Sequence, residues 1–334
     1  MNHDIRCEGL KIVTIGGGTG TSSLLEGLKK YTDNITCVVT VTDTGRSSGM
    51  IRKDLQVLSP GDIRNCLIAL SNSEKLLCDL FQYRFENGAL EGHSFGNLFI
   101  AALAKVTGSF EKAIEEASKI LQLKGKVLPA TFDIVNICAE LADGTYLQEE
   151  NEIIDRHNSQ VHLRSRIKRV FHEPQARVNP SVVKAIAEAD IIIICPGSLY
   201  TSVIGNLLIG ELCTAVNDSK AKKIYVCNIM TQVSQTHGYT ASDHVKEVLK
   251  YLDGTVDYVL INTKLPDKRL LAEYEKEHAS IVTNDFSELE KLSVKIVADS
   301  LLDESSARKL LWEKKDLLRH DPDKVARLIM QLVC

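Results

Sequence analysis

A glycine-rich turn between an apolar run and a helical pattern most constrains how this chain can fold. Residues 11–23 read KIVTIGGGTGTSS, so that a β-branched run ending at Ile15 gives way to three consecutive glycines. The run is typical of a buried strand, and the pattern from Thr21 onward is typical of a helix. Glycines let a backbone approach a ligand closely, and the first N–H groups of a helix attract phosphate. The stretch therefore predicts either an anion-binding corner or a turn whose role is only structural.

A second polar stretch favours the anion-binding interpretation. An apolar run over residues 35–42 ends at Asp43, the place where an acid contacts a ribose or a base in nucleotide-binding α/β folds. An arginine suited to bidentate phosphate contacts and three hydroxyls follow at once, namely Arg46, Thr44, Ser47 and Ser48. The dinucleotide fingerprint is incomplete because Thr21 occupies its third glycine position, and no Walker lysine is present.

Strand-like and helical patterns alternate along the whole length, which predicts an α/β fold with a Rossmann-like, doubly wound and mainly parallel sheet. The run DIIIIC at residues 190–195 is typical of a central parallel strand. With no low-complexity linker and no repeat, residues 1–334 are predicted to form one domain. A strongly polar stretch at about 144–170 is predicted to be a small insertion of exposed strands or loops, a candidate lid whose charges face water.

Further polar turns precede helices and are predicted to wall one cleft. In PGDIRN, Asp62 is expected to cap a helix whose first turn holds Asn65 and Arg64, the arginine facing either a bound anion or solvent. GHSFGN brings His93 and Asn97 before the next helix. The late strands open into PGSLYTS and Asn228, the first contributing Pro196, Gly197, Ser198, Thr201 and Ser202.

Composition excludes several classes of protein. The 334 residues carry a net charge of −4, whereas nucleic-acid-binding proteins normally carry an excess of basic residues, so a nucleic-acid-binding role is not expected. No apolar run approaches the ~20 residues of a membrane span, and the first residues lack the apolar core of a signal peptide, so a cytoplasmic protein is expected. The nine cysteines match no zinc spacing, and four in strand-like runs are predicted to be buried free thiols: Cys37, Cys138, Cys195 and Cys227.

Five motifs in order, GGGTG, TDTGRSSG, PGDIRN, HSFGN and PGSLYTS, resemble the gluconeogenesis-factor (YvcK) family, which is related to the 2-phospho-L-lactate transferases (CofD). The resemblance covers nearly the whole chain. It implies binding of a nucleotide sugar, notably UDP-N-acetylglucosamine, and a role in cell shape and wall synthesis on gluconeogenic carbon sources, with no firm catalytic activity. The transferase branch instead implies an enzyme that transfers a nucleotide-activated phospholactate to a deazaflavin precursor with magnesium.

The late segments LLAEYEKE and RHDPDKVA resemble the gluconeogenesis-factor branch, and this resemblance implies UDP-sugar contacts at Tyr274 and Arg319. The chain departs from the family at residues 233–236, where Val-Ser-Gln-Thr replaces Pro-Gly-Glu-Thr and removes an acid near the cleft. Motifs and resemblance together predict these nucleotide-binding residues: Gly16, Gly17, Gly18, Thr19, Gly20, Thr21, Asp43, Thr44, Arg46, Ser47, Ser48, Asp62, Asn65, Asn97, Pro196, Gly197, Ser198, Thr201, Ser202, Asn228, Tyr274 and Arg319.

Three functions are weighed. In a binding regulator, Arg46 and Arg319 would neutralise the pyrophosphate, Asp43 would take ribose or base, and Tyr274 would stack on a ring. In a phosphoryl-linked group transferase, Asp43 or Asp62 would hold Mg²⁺ with the nucleotide and His93 would serve as acid or base. A nicotinamide-dependent oxidoreductase is the weakest interpretation, because Thr21 breaks the fingerprint. A homo-oligomer is compatible with each of the three.

Overall fold

Ten strands form two sheets in the computed structural model, which describes residues 9–156, 165–303 and 318–334 and, within them, all but the side chain of Arg46. In chain order the strands are β1 (Ile12–Gly16), β2 (Ile35–Val39), β3 (Lys126–Pro129), β4 (Asn136–Leu141), β5 (Tyr146–Leu147), β6 (Ile167–Glu173), β7 (Ile191–Ile194), β8 (Lys222–Val226), β9 (Tyr258–Asn262) and β10 (Lys295–Asp299).

Helices cover both faces of the larger sheet. In chain order they are α1 (Gly18–Leu28), α2 (Arg46–Leu55), α3 (Gly61–Leu70), α4 (Lys75–Gln82), α5 (Phe95–Thr107), α6 (Phe110–Ile120), α7 (Glu150–Asp155), α8 (Pro180–Ala187), α9 (Gly205–Leu207), α10 (Gly210–Asp218), α11 (Ala241–Leu252), α12 (Lys268–Lys276), α13 (Phe286–Leu289) and α14 (Pro322–Val333). A π-helical turn, Leu199–Ile204, connects β7 to α9.

The larger sheet has seven strands in the order β10-β9-β8-β7-β1-β2-β3, and every neighbouring pair is parallel. The chain runs outward from β1 to β3, then crosses back and continues from β7 to β10 on the other side. The strand order therefore reverses between β1 and β7. A doubly wound sheet opens a ligand crevice at such a switch point, outside the carboxyl ends of the strands.

Two apolar cores bury the two faces of this sheet. Ile12, Ile193 and neighbouring strand residues pack against α1, α3 and α14, while Val13, Ile194 and their neighbours pack against α8, α10 and α11. Strand β7 is all isoleucine and is buried on both faces. This is why the central strands appear in the sequence as unbroken apolar runs instead of alternating patterns.

The smaller sheet is antiparallel, in the order β5-β4-β6, and is inserted between β3 and β7. It begins at Asn136 and ends at Glu173, so the insertion predicted at 144–170 covers only part of it. Its inner residues, such as Ile137 and Val170, join the core beneath the larger sheet. Residues 157–164 lie outside the described part of the chain. The prediction of exposed strands or loops is therefore wrong for the inner face and correct for the basic Lys168 and Arg169.

Two local predictions about α3 are wrong. Its N-cap is Pro60, without a side-chain cap, and Asp62 lies inside the first turn. Arg64 does not face solvent: it is buried and donates hydrogen bonds to Ser94, Asn97 and Asn65. The four predicted buried thiols are confirmed as buried and free. No single helix of the described ranges is long and apolar enough to cross a membrane, and one bent pair, Leu199–Leu207 with Gly210–Asp218, passes that test only jointly.

Candidate functional site

The turn from β1 into α1 lies at the switch point and is shaped by its glycines. Gly18 has φ +66°, a conformation that L-residues rarely adopt, and a Cβ built on it would meet only Ser202 Oγ at 3.8 Å. A Cβ on Gly20 would instead collide with the Pro196 carbonyl oxygen, so this glycine lets the turn pack against the loop after β7. Helix α1 begins without a side-chain cap, which leaves its first N–H groups to other acceptors.

The loop after β7 forms the opposite wall and is held by side-chain amides of the loop that follows β8. Asn228 Nδ2 donates to the Gly197 carbonyl at 2.7 Å, and its Oδ1 accepts from the Gly197 N–H at 3.4 Å. Gln232 Nε2 donates to Ser198 Oγ at 2.9 Å. The chain then enters the π-helical turn, a conformation often found at functional sites. Two polar walls are thereby fixed on either side of the switch point.

A cavity of about 380 Å³ lies between these walls, and we call it the switch-point cleft. The C-terminal segment reaches it, because Tyr274 Oη accepts a hydrogen bond from the Leu318 N–H at 2.8 Å. Its lining consists of Gly18, Thr19, Gly20, Ser23, Pro196, Gly197, Ser198, Ser202, Asn228, Ile229, Met230, Thr231, Gln232, Tyr274, Leu318, Arg319 and His320. Residues from five separate parts of the sequence therefore meet in one place.

His320, a half-buried histidine, forms part of the cleft wall. Burial lowers the pKa of His320 to about 4, so its ring is neutral at pH 7. Its Nε2 is buried without a hydrogen-bond partner among the described residues. A neutral, partly unsatisfied ring beside a phosphate-sized opening is a candidate hydrogen-bonding group for a ligand. Sequence inspection missed this residue because nothing local distinguishes a cleft histidine from a surface one.

Behind the glycine turn, on the β2 side, lie three carboxyl groups that we call the carboxylate cluster: Asp43, Asp62 and Glu150. A Cβ on Gly17 would meet Asp62 Oδ2 at 2.6 Å, and one on Gly61 would meet Asp43 Oδ2 at 2.5 Å. The Thr44 N–H donates to Glu150 Oε2 at 3.1 Å. The cluster is thus separated from the cleft by the backbone of the turn itself.

Burial, together with mutual repulsion, favours the protonated forms of two of these groups. Burial is the larger cause and the charge of Asp43 the next; together they raise the pKa of Asp62 to about 7 and that of Glu150 to about 8. The N–H of Gly18 opposes this at Asp62, and the Thr44 N–H opposes it at Glu150. Like charges packed this closely, away from water, mark a place where a cation or hydrogen-bond donors would be stabilised.

A magnesium ion fits this donor set only in part. Among the described residues, no three His, Cys, Asp or Glu side chains are arranged to hold a metal by themselves. Mg²⁺ usually keeps several waters and takes one or two carboxylates together with phosphate oxygens of the substrate. Asp43 and Asp62 beside the turn therefore fit a magnesium ion that arrives with a diphosphate. They do not form a cage for a resident ion.

Two buried arginines face the same region. Arg52 Nη2 donates to the Val135 carbonyl at 2.6 Å and to Asn136 Oδ1 at 2.9 Å, whereas its Nη1 is buried with no partner among the described residues. The charges of Glu149, Asp43 and Glu150 partly offset the burial that lowers the pKa of Arg52. Arg64 is buried in the same way, and burial lowers its pKa to about 10. The β2 side is therefore rich in buried charge of both signs.

Beside the cluster, four polar side chains are joined by hydrogen bonds. Ser47 Oγ lies 3.2 Å from His93 Nδ1. Asn97 Nδ2 donates to Ser47 Oγ and to Ser48 Oγ, each at 3.3 Å. Ser94 is the N-cap of α5, and its side chain accepts a hydrogen bond from the Asn97 N–H. The structure thus brings His93 and Asn97 together with the hydroxyls of the second polar stretch.

The predicted binding residues divide into three groups. The cleft is lined by ten of them, from Gly18 to Arg319; Asp43, Thr44, Ser47, Ser48, Asp62 and Asn97 lie on the β2 side of the turn. Gly17 lies between the two, and the Arg46 side chain is outside what the structure describes. The rest are internal: Gly16 and Thr21 are buried beneath the turn, Thr201 is buried in the π-helical turn, and Asn65 accepts from Arg64.

The segment that departs from the family, residues 233–236, supports the π-helical turn. Gln235 Oε1 accepts a hydrogen bond from the Tyr200 N–H at 3.1 Å, and Thr236 Oγ1 accepts from the Gln232 N–H at 2.9 Å. Both residues are buried. A neutral amide therefore stands against the turn at Gln235.

A larger groove, of about 700 Å³, runs along the outer edge of β3 between α6 and α8. It contains none of the predicted site residues. Pro129 has no N–H to offer there, and its carbonyl already accepts from Asn179 Nδ2 at 3.0 Å, so the edge is blocked against an added strand. Size alone therefore does not locate the functional site.

Strand order, switch-point cleft and glycine turn define a Rossmann-like, doubly wound α/β protein. Residues 12–302 match the family model described as 2-phospho-L-lactate transferase CofD. The chain is 44% identical over 327 residues to the gluconeogenesis factor of Bacillus subtilis (strain 168), covering 97% of this chain and 98% of that protein. It is 43% identical over 323 residues to the gluconeogenesis factor of Halalkalibacterium halodurans, covering 96% and 95%.

A solved structure agrees with these matches. The crystal structure of a UPF0052 family member from Bacillus halodurans at 2.60 Å has a TM-score of 0.88 with this chain, at 42% identity, and covers 97% of this chain and 99% of that one. The chain therefore belongs to the CofD family, and within it to the group whose members are named gluconeogenesis factor. The family resemblance inferred from the five motifs is confirmed.

Proposed function

We propose that this protein binds a nucleotide sugar, UDP-N-acetylglucosamine, and acts in the cytoplasm as a regulator of cell shape and wall synthesis during gluconeogenic growth. The observation that carries the proposal is the meeting of Tyr274 and Arg319 with the glycine turn in one cavity. An aromatic ring, a guanidinium and a glycine-rich backbone are the three groups that a ring-bearing diphosphate requires. The gluconeogenesis factors, which share over 40% identity, have names that agree with the proposed role.

The ligand would straddle the turn. Its diphosphate would lie against the backbone of Gly18–Gly20 and Gly197, with Arg319 neutralising its charge. Tyr274 would stack on one ring of the ligand. Asp43, at the end of β2, would accept hydroxyl hydrogen bonds on the other side, as acids at that position accept from ribose in related folds. The cavity of about 380 Å³ lies at the small end of the usual range for ligand pockets.

A second function, phosphoryl-linked group transfer of the 2-phospho-L-lactate transferase type, is favoured by the carboxylate cluster. Asp43 and Asp62 would hold a magnesium ion that neutralises the diphosphate, and buried carboxylates of raised pKa are common at catalytic sites. His93, beside the cluster, would hold or move a proton. A binding regulator needs no such cluster, so this feature separates the two functions.

Calorimetric titration decides between them. Purified protein is titrated with UDP-N-acetylglucosamine, UDP, GDP and GTP, each with and without Mg²⁺. We expect UDP-N-acetylglucosamine to bind most tightly, and at 100 times its dissociation constant to stabilise the fold by about 2.7 kcal/mol. Tight binding of GDP, with none of UDP-N-acetylglucosamine, would overturn the first function in favour of the second.

A further inference from the structure

We propose that His93 is a ligand-facing hydrogen-bond donor, its proton fixed on Nε2 by a relay that runs from Arg64 through Asn97 and Ser47. The relay lies on the β2 side of the turn and is complete in the protein alone. The ligand that it contacts is the nucleotide sugar of the proposed function, on which this half of the inference rests. The relay half can be tested without any ligand.

The relay starts at a group that can only donate. The guanidinium of Arg64 has five N–H donors and no acceptor. Its Nη1 donates to Ser94 Oγ and, at 3.0 Å, to the side chain of Asn97. Arg64 is held in place because a Cβ on Gly96 would lie 2.8 Å from its Cδ, so glycine leaves room for the buried side chain. The direction of every later hydrogen bond follows from this fixed donor.

Arg64 determines which way the Asn97 amide points. Because the atom facing a guanidinium must accept, the oxygen of Asn97 faces Arg64 and its Nδ2 points away. Nδ2 then donates to Ser47 Oγ and to Ser48 Oγ, each at 3.3 Å. The backbone of Asn97 lies in the first turn of α5, where its N–H donates to Ser94 Oγ at 3.1 Å. These bonds hold the side-chain amide of Asn97 in one orientation, with Nδ2 facing Ser47.

Ser47 passes the orientation to the histidine. Its oxygen accepts from Asn97 Nδ2 and, at 3.4 Å, from the Ser94 N–H, which occupies both lone pairs. Among the described side chains, the hydroxyl proton has one remaining neighbour, His93 Nδ1 at 3.2 Å. Since Ser47 donates, Nδ1 of His93 must accept. A neutral imidazole whose Nδ1 accepts carries its proton on Nε2.

This hydrogen bonding makes Ser47 a poor nucleophile. Its oxygen is occupied by two donors and its side chain is nearly inaccessible, at 2% exposure. His93, by contrast, is half-buried, and its Nε2 has no hydrogen-bond partner among the described residues. The free donor on Nε2 is therefore the end of the relay that a ligand can reach.

The position of the relay indicates what it contacts. Ser48, which shares the Asn97 amide with Ser47, lies beside Asp43 above Gly61. The relay thus adjoins the carboxylate cluster, which supplies acceptors, and adds to it a hydrogen-bond donor. A donor and acceptors side by side suit the hydroxyl and phosphoryl oxygens of a nucleotide sugar.

The tautomer is read directly by long-range ¹H–¹⁵N correlation of ¹⁵N-histidine-labelled protein, because protonated and unprotonated ring nitrogens resonate far apart. His93→Gln assigns the signal, and His237→Gln, which removes a histidine of the exposed surface, is the matched control. We expect His93 to show the Nε2–H form in the absence of ligand. An Nδ1–H form would overturn the relay.

Asn97→Asp reverses the relay with almost no change of shape. A carboxylate still accepts from Arg64 and suits the first turn of α5, but it cannot donate to Ser47. Ser47 then donates to the carboxylate, and His93 must donate from Nδ1 instead. We expect the tautomer to switch, whereas Asn87→Asp, an exposed residue given the same added charge, leaves it unchanged. Ser47→Ala should give a mixture of both forms, which keeps the test available if Asn97→Asp fails to fold.

Affinity tests the ligand-facing half. We expect Asn97→Asp to weaken UDP-N-acetylglucosamine binding roughly three- to tenfold, the value of one hydrogen bond, and Asn87→Asp to leave it unchanged. A switched tautomer with unchanged affinity would confirm the relay and overturn the contact with ligand. If the wild type binds no UDP-N-acetylglucosamine, the proposed function and this contact fail together, while the tautomer still decides the relay.

Discussion

The two sides of the glycine turn are built from opposite kinds of group. On the β7 side, the switch-point cleft is walled mainly by backbone, small side chains and amides, with Tyr274 and Arg319 at its mouth. On the β2 side, three carboxyl groups, of which Glu150 is buried, lie beside two buried arginines. Binding in the cleft therefore depends on the shape of the backbone, whereas the β2 side depends on the balance of charge. We therefore expect substitutions in the cleft to change ligand affinity and substitutions on the β2 side to change how stability depends on pH.

The largest effect is expected from filling the cleft. In Gly18→Val, a branched side chain would project where only Ser202 Oγ is near, and the residue would be held at φ +66°. We expect UDP-N-acetylglucosamine binding to be lost and the fold to be retained, with a cost of about 1–2 kcal/mol for the positive φ. Gly210→Val, at a position with open space and no positive φ, is the control. Unchanged calorimetric affinity in a folded Gly18→Val protein would limit the glycine to a structural role.

Removing the cation at the mouth of the cleft comes next. Arg319→Ala should weaken UDP-N-acetylglucosamine binding roughly ten- to a hundredfold, since a charge-assisted hydrogen bond is worth about 1.5–3 kcal/mol. Arg327→Ala, an exposed arginine of the adjacent helix α14, should leave it unchanged. Titrations at two salt concentrations check the electrostatic origin. Equal affinities of Arg319→Ala and wild type at both concentrations would remove Arg319 from the site.

Altering charge on the β2 side should change stability through pH. Raised carboxyl pKa values mean that the folded protein binds more protons than the unfolded chain, so stability falls as pH rises toward 8. Below pH 6.5 the histidines His172, His244 and His320, whose pKa values burial lowers, act in the opposite direction. Between pH 6.5 and 8 the carboxyl groups dominate, because the histidines of the unfolded chain are at most half protonated there. There we expect the free energy of unfolding to fall by about 1–2 kcal/mol.

Glu150→Gln tests this origin by denaturant unfolding at pH 6.5 and 8. Between these two pH values, the free energy of unfolding of Glu150→Gln should fall by less than half as much as that of wild type. Glu149→Gln, which alters an exposed neighbour, should behave as wild type. Added Mg²⁺ should flatten the wild-type profile if the cluster holds the ion, because a cation stabilises ionised carboxylates. A wild-type profile that is flat, or that rises between pH 6.5 and 8, would contradict the charge balance described for the β2 side.

The smallest effect is expected from one hydrogen bond of the C-terminal segment. Tyr274→Phe keeps the ring but removes the oxygen that accepts from the Leu318 N–H. The free energy of unfolding should fall by about 1 kcal/mol, and ligand affinity only severalfold, because the stacking ring remains. Tyr83→Phe, at an exposed tyrosine, is the control for stability. A loss of affinity as large as that of Arg319→Ala would mean that the hydroxyl itself contacts the ligand.

Much of the fold could be predicted because its signals are local. The apolar run of residues 190–195 indicates a central strand, and α8 begins at Pro180 as its sequence suggests. The five motifs identify the family from residues that lie close together within each motif. Tyr274 and Arg319 were predicted as site residues only through the family resemblance, since neither segment carries a phosphate-binding pattern of its own. Both line the switch-point cleft.

Long-range packing decided the rest. Glu150 sits in a charged stretch that indicates exposure, but its carboxylate accepts from the N–H of Thr44, 106 residues earlier, and is buried. Arg64 looks like a surface residue beside a cap, and the approach of α5 gives its guanidinium two of its three acceptors, Ser94 and Asn97. The same contacts orient Asn97 and His93. A sequence determines which groups a chain carries and which elements they form; the free energy of burying a charge depends on partners that only the folded chain brings within hydrogen-bonding distance.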